Sequence, residues 1–207
     1  MKILLKKHLN LLTIIIGTVI LAVSCSGNDD SADTSVKEVT GSANIGLIDD
    51  ERILQAENEP GNWLAHGRTY EERRFSPLKQ INKETVSELG LVWSKDMGTN
   101  RALEATPIVV DGIMFFTSTW SRVYAVDALS GETIWTFDPK VPGEWARKAC
   151  CDIVNRGVAV YNGKVYSASL DGRLFSLNAE TGEVVWEVDT IIDQTRSYTI
   201  TGAPRVA

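Results

Sequence analysis

The chain has 207 residues, with 27 Asp and Glu against 21 Lys and Arg and a formal net charge of −6. Nucleic-acid binding needs a basic footprint that displaces counterions from phosphates, and this balance offers none. No Gly-x-Gly-x-x-Gly follows a strand and no βαβ pattern occurs, so nothing points to a nicotinamide route.

The chain opens as an export signal. Lys2, Lys6 and Lys7 form a basic start with no acidic residue before Asp29, and the apolar stretch Leu9 to Val23 is broken only by Asn10, Thr13, Gly17 and Thr18. That stretch is short for a membrane span and has the size of a signal-peptide core, so residues 1–24 are expected to be a signal peptide. It ends in Leu21-Ala22-Val23-Ser24-Cys25, which resembles the cleavage site of bacterial lipoproteins, where the cysteine is acylated and begins the mature chain. The resemblance implies a protein on the periplasmic side, lipid-anchored through Cys25, with Ser26 leaning toward the outer membrane. Ordinary secretion into the periplasm is the alternative. Loss of three lysines and no acid makes the mature chain more acidic, and leaves Cys150 and Cys151 as its other thiols in an oxidising compartment.

Residues 25–47 are rich in Ser, Asp, Thr, Asn and Gly and poor in large apolar side chains, the composition of a flexible tether. The folded part is expected over residues 48–207, enough for one modest core. Helix is predicted only at Asp49–Glu59 and Lys83–Leu89. Strand hairpins follow: Thr106 to Val110, Asp111-Gly112, Ile113 to Thr117; and one unit later Val158 to Tyr161, Asn162-Gly163, Lys164 to Ser169. Between and after them a longer repeat recurs, once from Val123 to Trp135 and again from Leu174 to Trp186, with a worn copy ending at Leu91-Val92-Trp93. Each copy is an alternating strand, an Asp or Asn that caps a tight turn, a Gly that supplies positive φ, and a second strand ending on Trp. Units of about four short antiparallel strands predict an all-β protein of propeller type. Trp93, Trp135 and Trp186 are then scaffold that locks neighbouring blades.

The frame Ala-x-Asp-x-x-x-Gly-x-x-x-Trp, intact from Ala125 to Trp135, resembles the tryptophan-docking motif of dehydrogenases dependent on pyrroloquinoline quinone (PQQ). Pro60-Gly61-Asn62-Trp63, Gly67-Arg68-Thr69-Tyr70 and Arg74-Phe75-Ser76-Pro77 resemble the opening of the methanol/ethanol dehydrogenase branch. Ala149-Cys150-Cys151-Asp152-Ile153-Val154-Asn155-Arg156-Gly157 is most similar to quinohaemoprotein alcohol dehydrogenases. The resemblance implies an eight-bladed ring, of which about three to four blades are expected here.

Two adjacent cysteines by themselves leave pairing open. The resemblance implies a disulfide between Cys150 and Cys151 that covers one face of the planar quinone. It implies further that Arg156 clamps a PQQ carboxylate with charge-assisted hydrogen bonds, that Glu104 sits at the cofactor edge, that the Thr201 hydroxyl reaches a PQQ carboxylate, and that Val154 lines the pocket. A carboxylate such as Glu104 needs a cationic partner there, and Arg156 is the expected one. For Thr201 the nearby Thr199 is the alternative.

The activity implied is oxidation of a primary alcohol by hydride transfer to PQQ, with Ca2+ or a lanthanide as Lewis acid and cytochrome c as electron acceptor. In the family the metal ligands and the catalytic aspartate lie in later blades. None of those motifs occurs before Ala207, and no Cys-x-x-Cys-His for a fused haem domain is present. The chain therefore reads as the amino-terminal part of a longer product, expected to be inactive alone. Two other classes share the repeats: non-enzymatic outer-membrane assembly lipoproteins, and PQQ-dependent sugar or polyol dehydrogenases. The cysteine pair with Arg156 and Glu104 separates the first; the cysteine pair speaks for alcohols over the second.

Overall fold

A computed structural model of the protein describes residues 45–207. The predicted signal peptide over 1–24, Cys25, and the tether as far as residue 44 lie outside the described residues. Ile45 and Gly46, placed in the tether by composition, already belong to the fold. Ile45 packs against the core, and the Gly46 carbonyl accepts the Gly163 N–H at 2.9 Å.

A short helix, α1 (Asp50–Leu54), follows, capped by the Asp49 carboxylate accepting the Arg52 N–H at 2.9 Å. It is shorter than predicted. At Gln55 the backbone leaves α geometry (φ −101°, ψ 18°) and resumes as a 3-10 turn, Ala56–Asn58. Ile53 is the single buried side chain of α1, too little apolar face to carry a longer helix. The second predicted helix is likewise one 3-10 turn, Val86–Glu88, with no buried residue. A 3-10 segment at Gly143–Arg147, anchored by buried Trp145, was not expected.

Two four-stranded antiparallel sheets come next. The first holds β1 (Ile108–Val110), β2 (Ile113–Thr117), β3 (Val123–Asp127) and β4 (Thr133–Phe137) in chain order. The second repeats it with β5 (Ala159–Tyr161), β6 (Lys164–Ala168), β7 (Arg173–Asn178) and β8 (Val184–Asp189). The two-residue turns behave as their residues dictate: Asp111-Gly112 and Asn162-Gly163 all have positive φ, the geometry that matches strand twist in a tight hairpin. In the β3–β4 turn Asp127 Oδ1 accepts the N–H groups of Leu129 (2.9 Å) and Ser130 (2.7 Å), and the Ser130 contact holds its carboxyl below the usual range. Asn178 does the same for Glu180 and Thr181 in the β7–β8 turn.

The tryptophans couple the repeats. The Trp93 indole donates to the Ala128 carbonyl at 3.1 Å, and the Trp135 indole to the Ala179 carbonyl at 2.9 Å, each reaching into the turn of the next unit. Trp186, at the same place in the second sheet, is 40 % exposed and meets no such turn among the described residues. The two sheets share one apolar core around Phe115, Trp135, Phe175 and Leu177. Two four-stranded sheets are thus complete among the described residues, part of a propeller as expected. Residues 91–93, where a worn copy of the repeat was placed, form no strand among the described residues, since Leu91 and Val92 find no sheet to pair with and are exposed.

Connectivity assigns the two ends of the blades different roles. The hairpin turns 111–112 and 162–163 lie at one end, tied down by α1: Arg52 bonds Asp111 and Glu59, and Tyr161 Oη donates to Asp50 at 2.7 Å. The segment before β1, the β4–β5 connection and the segment after β8 all emerge at the other end. They carry the candidate residues.

Candidate functional site

The β4–β5 connection is folded around a small apolar cluster of Trp145, Ile153, Leu170 and Ile191. From this base Cys150 and Cys151 emerge as an exposed disulfide between neighbours, with Cα atoms 3.8 Å apart, the spacing of a trans peptide. Asp152 turns the chain back with φ 71°. Its carboxyl is held below the usual range by the Ile153 N–H and by Arg101, whose Nη1 bonds Oδ1 at 2.5 Å. The ion pair ties the disulfide turn to the segment that leads into β1.

Arg156 lies just beyond. Its carbonyl accepts the Thr106 N–H at 3.1 Å and its N–H donates to the Thr201 carbonyl at 3.0 Å. Gly157 bridges to Thr106, and a Cβ on it would lie 2.8 Å from the Thr106 carbonyl oxygen, so only glycine lets the two segments run this close. That approach brings Glu104 beside the guanidinium: Nη2 lies 2.9 Å from Glu104 Oε2, and Nη1 donates to Thr201 Oγ1 at 2.6 Å. Arg156 and Glu104 side chains are 40 % and 36 % exposed. With Nη1 spent on Thr201, the guanidinium keeps donors for an incoming anion.

The structure therefore joins Arg156, Glu104 and Thr201 in one cluster, with Thr201 rather than Thr199 as the threonine that Arg156 meets. It also pairs Cys150 with Cys151. Val154, expected to line the pocket as packing, is 1 % exposed and packs in the interior. Arg101, Asp152 and Asn155 were missed as partners of these residues. Asp152 stands in the quoted motif, yet its partner lies in another segment. Among the described residues no group of three or more His, Cys, Asp or Glu gathers to hold a metal ion. A cavity of about 300 Å³ lies elsewhere, bordered by Ile53, Leu64 and Val160 together with His66, Glu72 and Arg205, and includes none of the candidate residues.

The disulfide has a direct check. Iodoacetamide is expected to leave Cys150 and Cys151 unmodified in the native protein and to alkylate both after reduction. Labelling without reductant would show free thiols.

Residues 63–188 match the family described as PQQ, glucose/ethanol/alcohol dehydrogenase, beta-propeller domain. The chain is 49% identical over 180 residues to the dehydrogenase subunit of alcohol dehydrogenase (quinone) from Komagataeibacter europaeus, covering 82% of this chain and 24% of the relative. It is 56% identical over 146 residues to 1-butanol dehydrogenase (cytochrome c) from Thauera butanivorans, covering 70% and 21%. In structure it is similar to the quinohemoprotein alcohol dehydrogenase ADHIIG of Pseudomonas putida, with a TM-score of 0.78, 54% identity, and coverage of 80% of this chain and 24% of that one. The chain thus spans about a quarter of the length of the relatives it matches. On its repeats, its two blades and these matches, the chain belongs to the PQQ family of glucose/ethanol/alcohol dehydrogenase β-propeller domains.

Proposed function

We propose that this chain forms part of the wall of a PQQ site in an enzyme that oxidises primary alcohols and passes the electrons to a cytochrome c. The observation that carries the reading is the meeting of Arg156, Glu104 and Thr201 at the blade end from which the exposed Cys150–Cys151 disulfide also emerges. The donor set fits the group: a guanidinium and a hydroxyl suit a carboxylate, and a compact sulfur pair suits the face of a flat ring. When bound, PQQ supplies the acceptor for the two electrons and the hydrogen removed from the alcohol carbon.

The chain's own residues orient and hold. Arg156 binds a carboxylate through its free N–H groups. Glu104 neutralises part of its charge and keeps the fork from swinging into solvent. Thr201 fixes Nη1, and the disulfide gives one ring face a surface with no rotatable side chain. The Arg101–Asp152 pair holds that surface to the same segment as Glu104. Metal ligation has no ligand set among the described residues, and no step is assigned to it.

The reading is supported by relatives named alcohol dehydrogenase (quinone) and 1-butanol dehydrogenase (cytochrome c). Its test is the full-length product of the gene that encodes this chain, expressed in a host without PQQ, then titrated with PQQ and Ca2+ and assayed with a redox dye on ethanol, 1-butanol and glucose. Stoichiometric PQQ uptake with alcohol oxidation is expected. Absence of PQQ binding sinks the reading.

The lipoprotein-like start supports a periplasmic protein anchored through Cys25. Cys25→Ser is expected to move the protein from the membrane fraction to the soluble periplasm. Unchanged membrane association would count against the anchor.

A further inference from the structure

Asn155, next to Arg156, is 2 % exposed, and both polar atoms of its amide have partners. Oδ1 accepts from Thr117 Oγ1 at 2.9 Å and from the Gly157 N–H at 3.0 Å, while Nδ2 donates to the Ala168 carbonyl at 2.7 Å. The Asn155 carbonyl stands within 3.2 Å of the same Thr117 hydroxyl. The orientation of the amide is forced, because the Gly157 N–H can only donate and the Ala168 carbonyl can only accept.

Thr117 ends β2 in the first blade and Ala168 ends β6 in the second. One buried side chain therefore ties both blades to the main chain on each side of Arg156. Burying an amide is costly unless its polar atoms find partners, and here Thr117 of the first blade, Ala168 of the second and the Gly157 N–H before β5 supply them. The guanidinium of Arg156 has no comparable restraint of its own. It is half-exposed and touches two side chains on other segments, so its aim depends on where its backbone is held.

Resting on the cofactor reading above, we propose that Asn155 is a positioning residue for the PQQ clamp: it locks the Arg156 backbone between the blades so that the guanidinium is aimed before the cofactor arrives. Preorganisation of this kind lowers the ordering cost of binding without adding a contact to the ligand.

A double-mutant cycle on PQQ affinity, measured by equilibrium dialysis with the protein expressed from its own gene, tests this. Asn155→Ala is expected to weaken PQQ binding about tenfold in the native background and less than about twofold when Arg156→Ala is present. Thr117→Val, which removes one donor to Asn155 with little change of shape, is expected to weaken it about threefold in the native background only. The second variant carries the test should Asn155→Ala fail to fold. Equal losses in both backgrounds, or no loss, overturn the positioning role and leave the clamp intact. Unchanged affinity in Arg156→Ala alone overturns the clamp itself, and the positioning role with it.

Discussion

Trp135→Ala is expected to destabilise the protein by about 3–5 kcal/mol, the range for truncating a buried Trp. The ring is 8 % exposed, lies 6.0 Å from the Phe115 ring, and donates its indole N–H to the Ala179 carbonyl in the next blade. Truncation removes apolar burial and leaves that carbonyl without its partner. The socket should be as sensitive as the ring. Gly182 has φ +74°, and a Cβ there would stand 2.6 Å from a Trp135 ring carbon. Gly182→Ala forces both a left-handed alanine and a shift of the indole, with an expected loss of about 2–4 kcal/mol. Urea unfolding followed by circular dichroism reads both. A loss below about 1 kcal/mol for Trp135→Ala would mean that the blades are held by something other than this contact.

Arg156→Ala is expected to weaken PQQ binding 10- to 100-fold, from about 1.5–3 kcal/mol for a hydrogen bond to a charged group. Arg156→Lys should recover part of this, since the charge stays while the planar fork is lost. Glu104→Gln is a useful contrast. It removes the charge that faces Nη2 at 2.9 Å and keeps the shape, so the cluster survives with one more net positive charge. Dialysis against PQQ ranks the three variants. Equal affinity in Arg156→Ala and the native protein would remove Arg156 from the site.

The features legible in sequence are those written within a few positions. Asp111-Gly112 and Asn162-Gly163 dictate their turns through positive φ, and strand alternation around them follows from the period of two. The docking tryptophans were legible because the same Gly-x-x-x-Trp spacing recurs, from Gly131 to Trp135 and from Gly182 to Trp186. The cysteine pair and Arg156 were legible only through resemblance, since neither adjacency nor a lone arginine specifies a partner. Which way Val154 faces was not legible from its place between Cys151 and Arg156, and it faces inward. Whether a strand-like sequence such as Leu91-Val92-Trp93 becomes a strand was not legible, because that takes a neighbouring sheet edge to receive its hydrogen bonds.

By itself, then, the sequence determined the hairpins, the repeat and the docking residues, because each depends on backbone preferences and hydrogen bonds between near neighbours. The tertiary structure alone decided that Thr201 rather than Thr199 meets Arg156, that Arg101 reaches Asp152, and that Asn155 joins the blades. Arg156 and Thr201 stand 45 positions apart, and Arg101 and Asp152 stand 51 apart. Contacts over such separations exist only once the shared core of the two sheets has brought three loops to one end.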